Sequence, residues 1–534
     1  MVLPMARIPG LSALARDYLA DYSRVERFFC YDHRQWENYH RAAERLQRRP
    51  SPPRTELVEL LKRQNRTFGA NEKTMSAIER LASESTFVVT TGQQTGLFGG
   101  PLYTLYKALT AVRLAEELTR RLKTEVYPLF YLVSEDHDFA EVQWAGLLDA
   151  GHSFRTIEFT DPHPGSRLPV CARSLDRSID GVIDELDSMT PASEFKSAVL
   201  EQLGSCYAGK VPYHVAFARW MIKLLQPRPI VVLDASDPGF KSRAADLFER
   251  ELREDLSGRA MRSTNEELRR MGYHEQIPYQ HGRPSLFLLS NGRHALQREN
   301  DGQWRSLNDD ALHGLAELGP ERLSPKAALR PVVESALLPA LCYVGGPGEI
   351  AYWAQLKGVF EAFQVHMPVV KPRAGFTLLE PGIKRRLNKL SLSPLSMVLD
   401  PEEARKNTLG ATLPPEFEEK LERFRASTDR TWSELRTKIA GLDRSLDKVL
   451  DRGKAQIMRQ VELLRNRAIT AAEQREHNTA EHIRVIIENL RPAGELQERK
   501  LNITPFLFKY DWSLIDTLER RIDLEADHHL FVEL

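Results

Sequence analysis

Two apolar runs on either side of one helix-length segment constrain the fold of this chain more than any other feature. The first run, TFVVTTG, begins at Thr86, and the second, EVYPLFYLV, covers residues 125–133. Between them, the segment from Pro101 to Leu118 has the amphipathic pattern of a helix of about 18 residues. A strand, a helix and a second buried strand form a βαβ unit, which requires a parallel sheet covered on both faces. The sequence therefore predicts an α/β core.

Further apolar runs predict that this core is assembled from separated pieces. The strand candidates are VVLD within 228–240, ALCYV before a glycine-rich turn, and PVVKPR at the end of 366–373. Residues 151–225 carry no clear sheet signal, whereas Asn291-Gly292 lies in SLFLLSNGRHAL and is typical of a hairpin. We expect a helical segment that packs on the core (1–85), core parts at 86–150, 226–272 and 331–410, inserts at 151–225 and 273–330, a coiled-coil hairpin (411–492) and a tail that returns to the core (493–534).

The region that precedes this tail has a different composition. Residues 416–490 are rich in charge and contain no proline. Their apolar residues recur at spacings of three, four and seven, as in a coiled coil. Two long helices that break near Gly453 would form an antiparallel hairpin, either as a structural arm or as a dimerising one. The apolar positions are Leu421, Phe424, Leu435, Ile439, Leu442, Leu446, Ile457, Val461, Leu464, Ile483, Ile486 and Leu490.

Composition excludes several classes of protein. Lys plus Arg and Asp plus Glu number 74 each, so the net charge is zero, which argues against a general nucleic-acid binder. No apolar run approaches the roughly 18 residues that a membrane helix requires, and the first residues lack the apolar stretch of a secretory signal. We therefore expect a cytoplasmic protein. The cysteines show neither disulfide nor zinc spacing; they are Cys30, Cys171, Cys206 and Cys342.

A glycine-rich segment, TTGQQTGLFGG, follows the first strand. It matches neither the phosphate-binding GxxxxGK pattern nor the dinucleotide-binding GxGxxG pattern. Glycines at a strand end still allow a ligand to approach the backbone, and the start of the next helix can hold an anion. The alternative is a tight turn whose glycines serve close packing. The candidate binding residues here are Gly92, Gln93, Gln94 and Gly96, with Tyr103 and Lys107 four residues apart on the helix.

The second strand ends in the acidic segment SEDHDF. If the segment stays extended, Asp136 and Asp138 point to one side and His137 to the other. Histidine titrates near neutrality and is a candidate general base, and a neighbouring aspartate would set its tautomer. Two carboxylates also suit Mg²⁺ bound to nucleotide phosphates. The alternative is a solvated acidic loop or a helix cap.

A second glycine turn, VGGPGEIAYW, opens another helix. Gly345, Gly346 and Gly348 could hold an anion or a carboxylate, and Glu349 falls in the first helical turn. The cations Lys371 and Arg373 close the last predicted strand and could neutralise a phosphate or carboxylate. A structural turn and a solvated pair of cations are the competing interpretations.

These junctions together resemble one family, the bacillithiol biosynthesis cysteine-adding enzymes. The resemblance rests on TTGQQTGLFGGPLYTLYKA, SEDHDFAEV, YVGGPGEIAYWAQLK and LQERKLN, in that order, and extends over essentially the whole chain. It implies a Rossmann-like core interrupted by connecting inserts, a C-terminal antiparallel coiled coil, and a homodimer formed through that coil. It also implies a ligase that joins L-cysteine to the amine of glucosaminyl-malate in the last step of bacillithiol synthesis.

Amide formation from a free carboxylate is uphill in water, so an ATP-dependent activation is expected, with ADP or AMP as product and Mg²⁺ as a possible accompanying ion. Under this hypothesis the first glycine loop cradles phosphate and Lys107 offsets its charge. His137, oriented by Asp136 or Asp138, takes the proton of the amine. The turn at 345–348 with Lys371 and Arg373 grips a carboxylate, and Arg499 reaches the nucleotide. No dedicated metal site is predicted.

Two other functions stay open at this point. One is a nucleotidyltransferase-like enzyme that has the same core and acts on a different acid. The other is a non-catalytic scaffold that binds a nucleotide or a thiol and acts with a partner through its coiled coil. Tolerance of a His137→Ala change would distinguish the scaffold from either enzyme.

Overall fold

The computed structural model describes residues 1–48, 54–298, 304–306, 311–312, 319–439 and 445–534. These residues form two compact units. The first contains residues 1–377 and 497–532, and the second contains 378–496 and 533–534. Among the helices of the described residues, none combines the length and the apolar character needed to cross a membrane.

The strands are β1 (Val2–Pro4), β2 (Phe87–Gln94), β3 (Val126–Val133), β4 (Trp144–Leu148), β5 (Phe154–Glu158), β6 (Val231–Asp234), β7 (Leu286–Leu289), β8 (Arg293–Arg298), β9 (Trp304–Ser306), β10 (Ala311–Leu312), β11 (Leu323–Pro325), β12 (Ala340–Gly345), β13 (Val369–Pro372), β14 (Gly375–Leu379) and β15 (His528–Glu533).

The helices are α1 (Ala13–Ala20), α2 (Trp36–Gln47), α3 (Arg54–Thr67), α4 (Glu72–Arg80), α5 (Leu102–Leu122), α6 (Ser178–Met189), α7 (Lys196–Tyr207), α8 (Tyr213–Leu225), α9 (Pro238–Arg243), α10 (Ala245–Glu254), α11 (Leu256–Arg270), α12 (Arg330–Leu337), α13 (Pro347–Trp353), α14 (Lys357–Ala362), α15 (Pro381–Lys389), α16 (Pro394–Leu399), α17 (Pro401–Gly410), α18 (Pro415–Ile439), α19 (Ser445–Arg475), α20 (His477–Leu490), α21 (Gln497–Lys500), α22 (Thr504–Tyr510) and α23 (Ser513–Arg520).

A five-stranded sheet in the order β13–β12–β2–β3–β6 forms the centre of the first unit. Every neighbouring pair in it is parallel. The chain lays down β2, β3 and β6 in one direction and then returns to place β12 and β13 on the other side of β2. This order is that of a Rossmann-like fold, with a topological switch point between β2 and β12. The predicted fold class is confirmed.

Helices cover both faces of this sheet, because successive residues of β2 point in opposite directions. Val88 packs into a core cluster with Leu61 of α3 and Ile78 of α4. Val89 belongs to the opposite cluster, together with Leu114 of α5. Both faces are buried, which explains the continuous apolar runs that predicted the strands.

The inserts carry antiparallel sheets. In the order β10–β9–β8–β7–β11, the second insert forms a five-stranded sheet. Its predicted hairpin is confirmed, since Leu289 pairs with Arg293 across a turn in which Asn291 has φ 46°. Within 151–225 the structure contains β5, paired with β4, although the sequence showed no clear sheet signal there. Most of β5 is exposed and polar, so it lacks the apolar pattern of a buried strand.

The second unit contains the coiled-coil hairpin. Helices α18 and α19 are antiparallel, as shown by the ion pairs Arg425–Glu462 at 2.9 Å and Lys454–Asp429 at 2.7 Å. The coiled coil is confirmed, but the predicted break at Gly453 is wrong. Helix α19 continues through Gly453.

Gly453 faces Trp432 of the other helix in the hairpin. A side chain at Gly453 would begin 3.6 Å from the indole of Trp432 on the facing helix. This distance is an ordinary van der Waals contact, so a small side chain would also fit at this position. Gly453 lies within α19 and does not end it.

Candidate active site

A cavity of about 360 Å³ opens at the carboxyl ends of β2 and β12, where the strand order reverses. Open parallel sheets characteristically bind ligands at this position. The predicted site residues that line it are Gly92, Gln93, Gln94, Tyr103, Lys107, Asp136, Gly346, Gly348, Glu349, Arg373 and Arg499. The predicted residues that lie outside its lining are Gly96, His137, Asp138, Gly345 and Lys371.

The two glutamines belong to the end of a strand and not to a turn. Strand β2 continues through Gln94, which pairs with Val133 at the end of β3. The Gln94 amide donates to Asp136 Oδ2 at 2.9 Å and to Glu141 Oε2 at 2.8 Å. Gln94 therefore ties the ends of two adjacent strands together at the rim of the cavity.

A buried ion pair joins the two glycine-containing motifs. Lys107, whose side chain is 1% exposed, places Nζ 2.7 Å from Glu349 Oε2. The same ammonium donates to the Gly92 carbonyl and, at 3.1 Å, to Gln93 Oε1. Burial lowers the pKa of Lys107, and the charge of Glu349 opposes that shift. The contact connects the end of β2 with the start of α13 across the switch point.

The second glycine turn receives a carboxylate from the protein itself. The Gly346 N–H donates to Glu349 Oε2 at 2.8 Å, and the Tyr343 hydroxyl donates to Oε1 at 2.5 Å. Burial raises the pKa of Glu349, but Lys107 and these donors outweigh it and hold the pKa below its usual range. Gly345 ends β12, where its carbonyl accepts the Arg373 N–H at 2.9 Å. At Gly346, Glu349 thus holds the place that the sequence suggested for a ligand carboxylate.

Close packing explains the later glycines of the first loop. A side chain at Gly96 would begin 2.7 Å from the Gly100 Cα, which no substitution can accommodate without a backbone shift. Gly99 and Gly100 have φ values of 93° and 72°, in the region that favours glycine. This is the packing alternative, and it applies to Gly96, which lies outside the cavity.

Protein groups already accept the N–H donors of this loop. The Leu97 N–H donates to the Val142 carbonyl at 2.8 Å, and the Gly100 N–H donates to the Leu97 carbonyl at 2.9 Å. At the start of α5, the Leu102 N–H donates to the Leu501 carbonyl at 2.8 Å. These groups are not available to a ligand, so the phosphate cradle expected at this loop does not fit the structure.

The acidic segment after β3 turns at once and does not stay extended. Asp136 lines the cavity, and Arg293 Nη1 lies 3.2 Å from its Oδ1. Burial raises the pKa of Asp136, but Arg293 and the Gln94 amide reverse the shift and lower it. Asp138 is exposed and does not share the cavity with Asp136. In the parts of the chain that the structure describes, no three His, Cys, Asp or Glu side chains are grouped to hold a metal ion.

His137 lies beside the cavity rather than in its wall. Its ring is 25% exposed, with Nδ1 3.5 Å from Asp136 Oδ1. Nδ1 is buried and has no hydrogen-bond partner among the described residues. Burial and the charge of Arg167 lower the pKa of His137, while Asp136 opposes them. The imidazole is therefore neutral at neutral pH and able to accept a proton.

The two cations after β13 separate. The Arg373 guanidinium lines the cavity and binds both carboxylate oxygens of Glu498, at 3.0 and 2.6 Å. Lys371 points elsewhere, because its Nζ donates to the Leu524 carbonyl at 2.9 Å and lies 3.5 Å from Asp527. The structure thus divides the pair that the sequence suggested as one carboxylate grip.

Sequence reasoning missed two polar residues of the cavity wall and a partner of a third. Arg330 and Tyr352 line the cavity, and Glu498 holds Arg373. Arg330 directly precedes a proline at the start of a predicted helix, and Tyr352 stands one turn after Glu349. Their positions near the glycine turn were the available signal. Their orientation depends on how α12 and α13 pack, which the local pattern does not show.

Residues 2–374 match the family model described as the N-terminal Rossmann-like domain of bacillithiol biosynthesis BshC. Residues 376–534 match the model of its C-terminal coiled-coil domain. The chain belongs to the BshC family. The resemblance drawn from the sequence motifs is therefore confirmed.

Curated members of the BshC family align with nearly the whole chain. A relative from Salinibacter ruber, named "Putative cysteine ligase BshC", is 31% identical over 99% of this chain and 97% of its own length. Relatives of the same name from Symbiobacterium thermophilum and Chlorobaculum tepidum are each 32% identical. Those alignments cover 97% and 98% of this chain and 98% and 97% of the relatives.

Proposed function

We propose that this protein is a cysteine ligase that joins L-cysteine to the amine of glucosaminyl-malate, the last step of bacillithiol synthesis. The names of its BshC relatives support a ligase. The observation that carries the proposal is the polar cavity at the switch point, where all four of the family's sequence motifs contribute residues. Both substrates carry carboxylates, and the cavity wall combines cations with amide and hydroxyl groups.

ATP is the co-substrate that we propose for activating the carboxyl group of cysteine. The N–H groups of the first glycine loop are already bonded within the protein, so they do not serve as its phosphate cradle. The side chain of Arg499 in the cavity wall is the group that would meet its phosphates. Mg²⁺ is included as the ion that commonly accompanies ATP, with no residue assigned to it.

His137 is our candidate for the group that takes the proton from the attacking amine. Its lowered pKa leaves the ring neutral at neutral pH, as a general base requires. Asp136 next to it is held by Gln94 and Arg293 and lines the cavity. We propose that substrate binding brings the amine to the edge of the cavity where the imidazole lies.

We propose that the protein acts in the cytoplasm as a homodimer that forms through the coiled coil. The second unit supports this assembly because its hairpin carries an apolar groove of about 800 Å³. Phe424 and Leu464 border the groove and are 49% and 53% exposed. Apolar surface of this kind commonly marks a protein–protein contact.

The test is a direct assay of the product. Purified protein is mixed with L-cysteine, glucosaminyl-malate, ATP and Mg²⁺, and bacillithiol is measured by mass spectrometry. We expect product from the wild type and a loss of about 100-fold or more in His137→Ala, the range typical of a missing general base. His40→Ala, an exposed histidine of α2, is the matched control and should retain full activity.

Two results would count against the proposal. No product from folded wild-type protein would contradict the ligase and favour the scaffold alternative, in which a nucleotide or thiol is bound without turnover. Product from the wild type that His137→Ala leaves unchanged would keep the ligase and remove His137 from the base role.

A further inference from the structure

The charged side chains of the cavity differ in how the protein neutralises them. Lys107 lies 2.7 Å from Glu349, and Arg373 binds Glu498 through two nitrogen–oxygen contacts of 3.0 and 2.6 Å. Each of these cations therefore has a carboxylate of the protein as its partner. A ligand anion that approached either of them would compete with an existing buried ion pair.

Among the described residues, Arg330 has no such carboxylate partner. The hydrogen bond of its guanidinium is the one from Nη2 to the Tyr352 hydroxyl, and it is long, at 3.4 Å. Across the residues that the structure describes, no carboxylate forms an ion pair with Arg330. A guanidinium presents five N–H donors in a planar fork, so most of its hydrogen-bonding capacity remains for a ligand in the cavity.

The acidic residue next to Arg330 on the same helix is a weak counter-charge. Glu334 lies one turn further along α12 and is 4% exposed. Burial raises its pKa to about 7, although Thr90 and the charge of Arg330 lower it. A carboxyl group with this pKa is only partly ionised at neutral pH. Glu334 therefore neutralises the positive charge of Arg330 only in part, and the guanidinium can still attract an anion in the cavity.

We propose that Arg330 binds an oxyanion of the ligand, a carboxylate or a phosphate, and that Tyr352 is a positioning residue for its guanidinium. The fork of a guanidinium matches both kinds of oxyanion through two parallel hydrogen bonds, which a lysine cannot reproduce. The identity of the ligand rests on the proposed function, in which malate supplies the carboxylates and ATP the phosphates. The binding step itself requires no turnover.

Isothermal titration of the full-length protein tests this subsite with two separate probes, L-malate and pyrophosphate. We expect at least one of them to bind the wild type and to lose about tenfold or more in affinity in Arg330→Met, as for a lost charge-assisted bond. Arg330→Lys should lose affinity as well, because it keeps the charge without the fork. Arg253→Met is the matched control; that arginine is 62% exposed on α10 and should leave the affinity unchanged.

The outcomes separate the two sources of the oxyanion. Malate binding that depends on Arg330 assigns a carboxylate subsite, and pyrophosphate binding that depends on it assigns a phosphate subsite. If the wild type binds neither probe, or if Arg330→Met binds as tightly as the wild type, the proposal is wrong. Circular dichroism checks folding, and Arg330→Lys decides the question if Arg330→Met does not fold.

Tyr352→Phe separates positioning from a purely structural role. It removes the hydroxyl that contacts Arg330 and should weaken binding of the same probe several-fold, with an unchanged melting temperature. An unchanged affinity would exclude the positioning role. Because none of these titrations measures ligase activity, a failed ligase assay and a failed binding subsite are distinguishable results.

Discussion

At the residue scale, the ion pair between Lys107 and Glu349 joins the two sides of the switch point. Both groups are held within the wall of the cavity, and Glu349 has further donors in Gly346 and Tyr343. Removing one member of such a pair leaves a charge that has lost its counter-ion in a poorly solvated place. The cost of a single substitution should therefore exceed the net contribution of the pair.

Lys107→Met should destabilise the protein by about 3–5 kcal/mol, the usual cost of breaking a buried pair. The double variant Lys107→Met/Glu349→Gln should recover most of this loss because no unpaired charge remains. Urea unfolding of the wild type, both single variants and the double variant measures the coupling. Additive losses in the double variant would show that the two side chains do not interact.

Glu334 gives a pH-dependent prediction. Burial and the negative charge of Glu349 raise its pKa, whereas the Thr90 hydrogen bond and the positive charges of Arg330 and Lys107 lower it. The net result is a pKa of about 7 instead of 4.5. The folded state then holds a proton that the unfolded state releases, so stability falls as the pH rises from 4.5 to 7. The difference between the two pKa values corresponds to a change of about 3 kcal/mol in the free energy of unfolding.

Glu334→Gln should remove this part of the pH dependence. The free energy of unfolding, measured in urea at pH 4.5 and at pH 8, should fall less in the variant than in the wild type. Comparing the two proteins cancels the other titrating groups. Equal pH dependence in both would show that folding does not raise the pKa of Glu334.

At the element scale, the segment after the coiled coil closes the first glycine loop. The Asn502 side-chain amide donates to the carbonyls of Phe98 and Gly100 at 2.9 and 2.8 Å, and its oxygen accepts the Thr504 N–H at 2.9 Å. Asn502 is 3% exposed, so these groups have little access to water. One side chain therefore satisfies backbone groups of two distant segments.

Asn502→Ala should cost about 2–4 kcal/mol, since each buried polar group left unpaired costs roughly 1–3 kcal/mol. Thermal and urea unfolding measure this loss. Asn388→Ala, at an exposed position of α15, is the control and should change stability by less than about 0.5 kcal/mol. A loss at Asn502 no larger than that of the control would contradict this role of its side chain.

The sequence predicted those elements whose residues carry their own pattern. The apolar runs of β2 and β3 and the hairpin at Asn291 are local signals, and the structure contains all of them. The position of Gly453 inside α19 was missed because a glycine within a helix looks the same in sequence as a glycine that ends one.

The candidate site follows the same division. The motifs at the ends of β2 and β12 could be found because strand ends and glycine turns are visible in sequence. The partner of each donor could not be found in this way. The Leu102 N–H donates to the Leu501 carbonyl and Arg373 binds Glu498, and both partners lie far away along the chain. The missing information is therefore about long-range partners, whose identity no local spacing contains.

At the scale of the whole molecule, the coiled-coil unit gives a prediction about assembly. If its apolar groove is a dimer contact, full-length protein should elute with the mass of two chains in light scattering after size exclusion. Leu464→Glu places a charge beside the groove and should shift the mass to one chain. Arg467→Glu, exposed on the same helix and absent from the groove lining, is the control and should remain dimeric. A monomeric wild type would contradict the homodimer.

The first unit is built from two stretches of chain, residues 1–377 and 497–532, with the whole second unit encoded between them. Glu498, the partner of Arg373, and Leu501, the acceptor for the start of α5, both belong to the later stretch. During synthesis on the ribosome, the cavity therefore lacks part of its wall until the coiled-coil hairpin has emerged. A cell that makes this protein has to keep a nearly finished first unit from aggregating while more than a hundred further residues are translated.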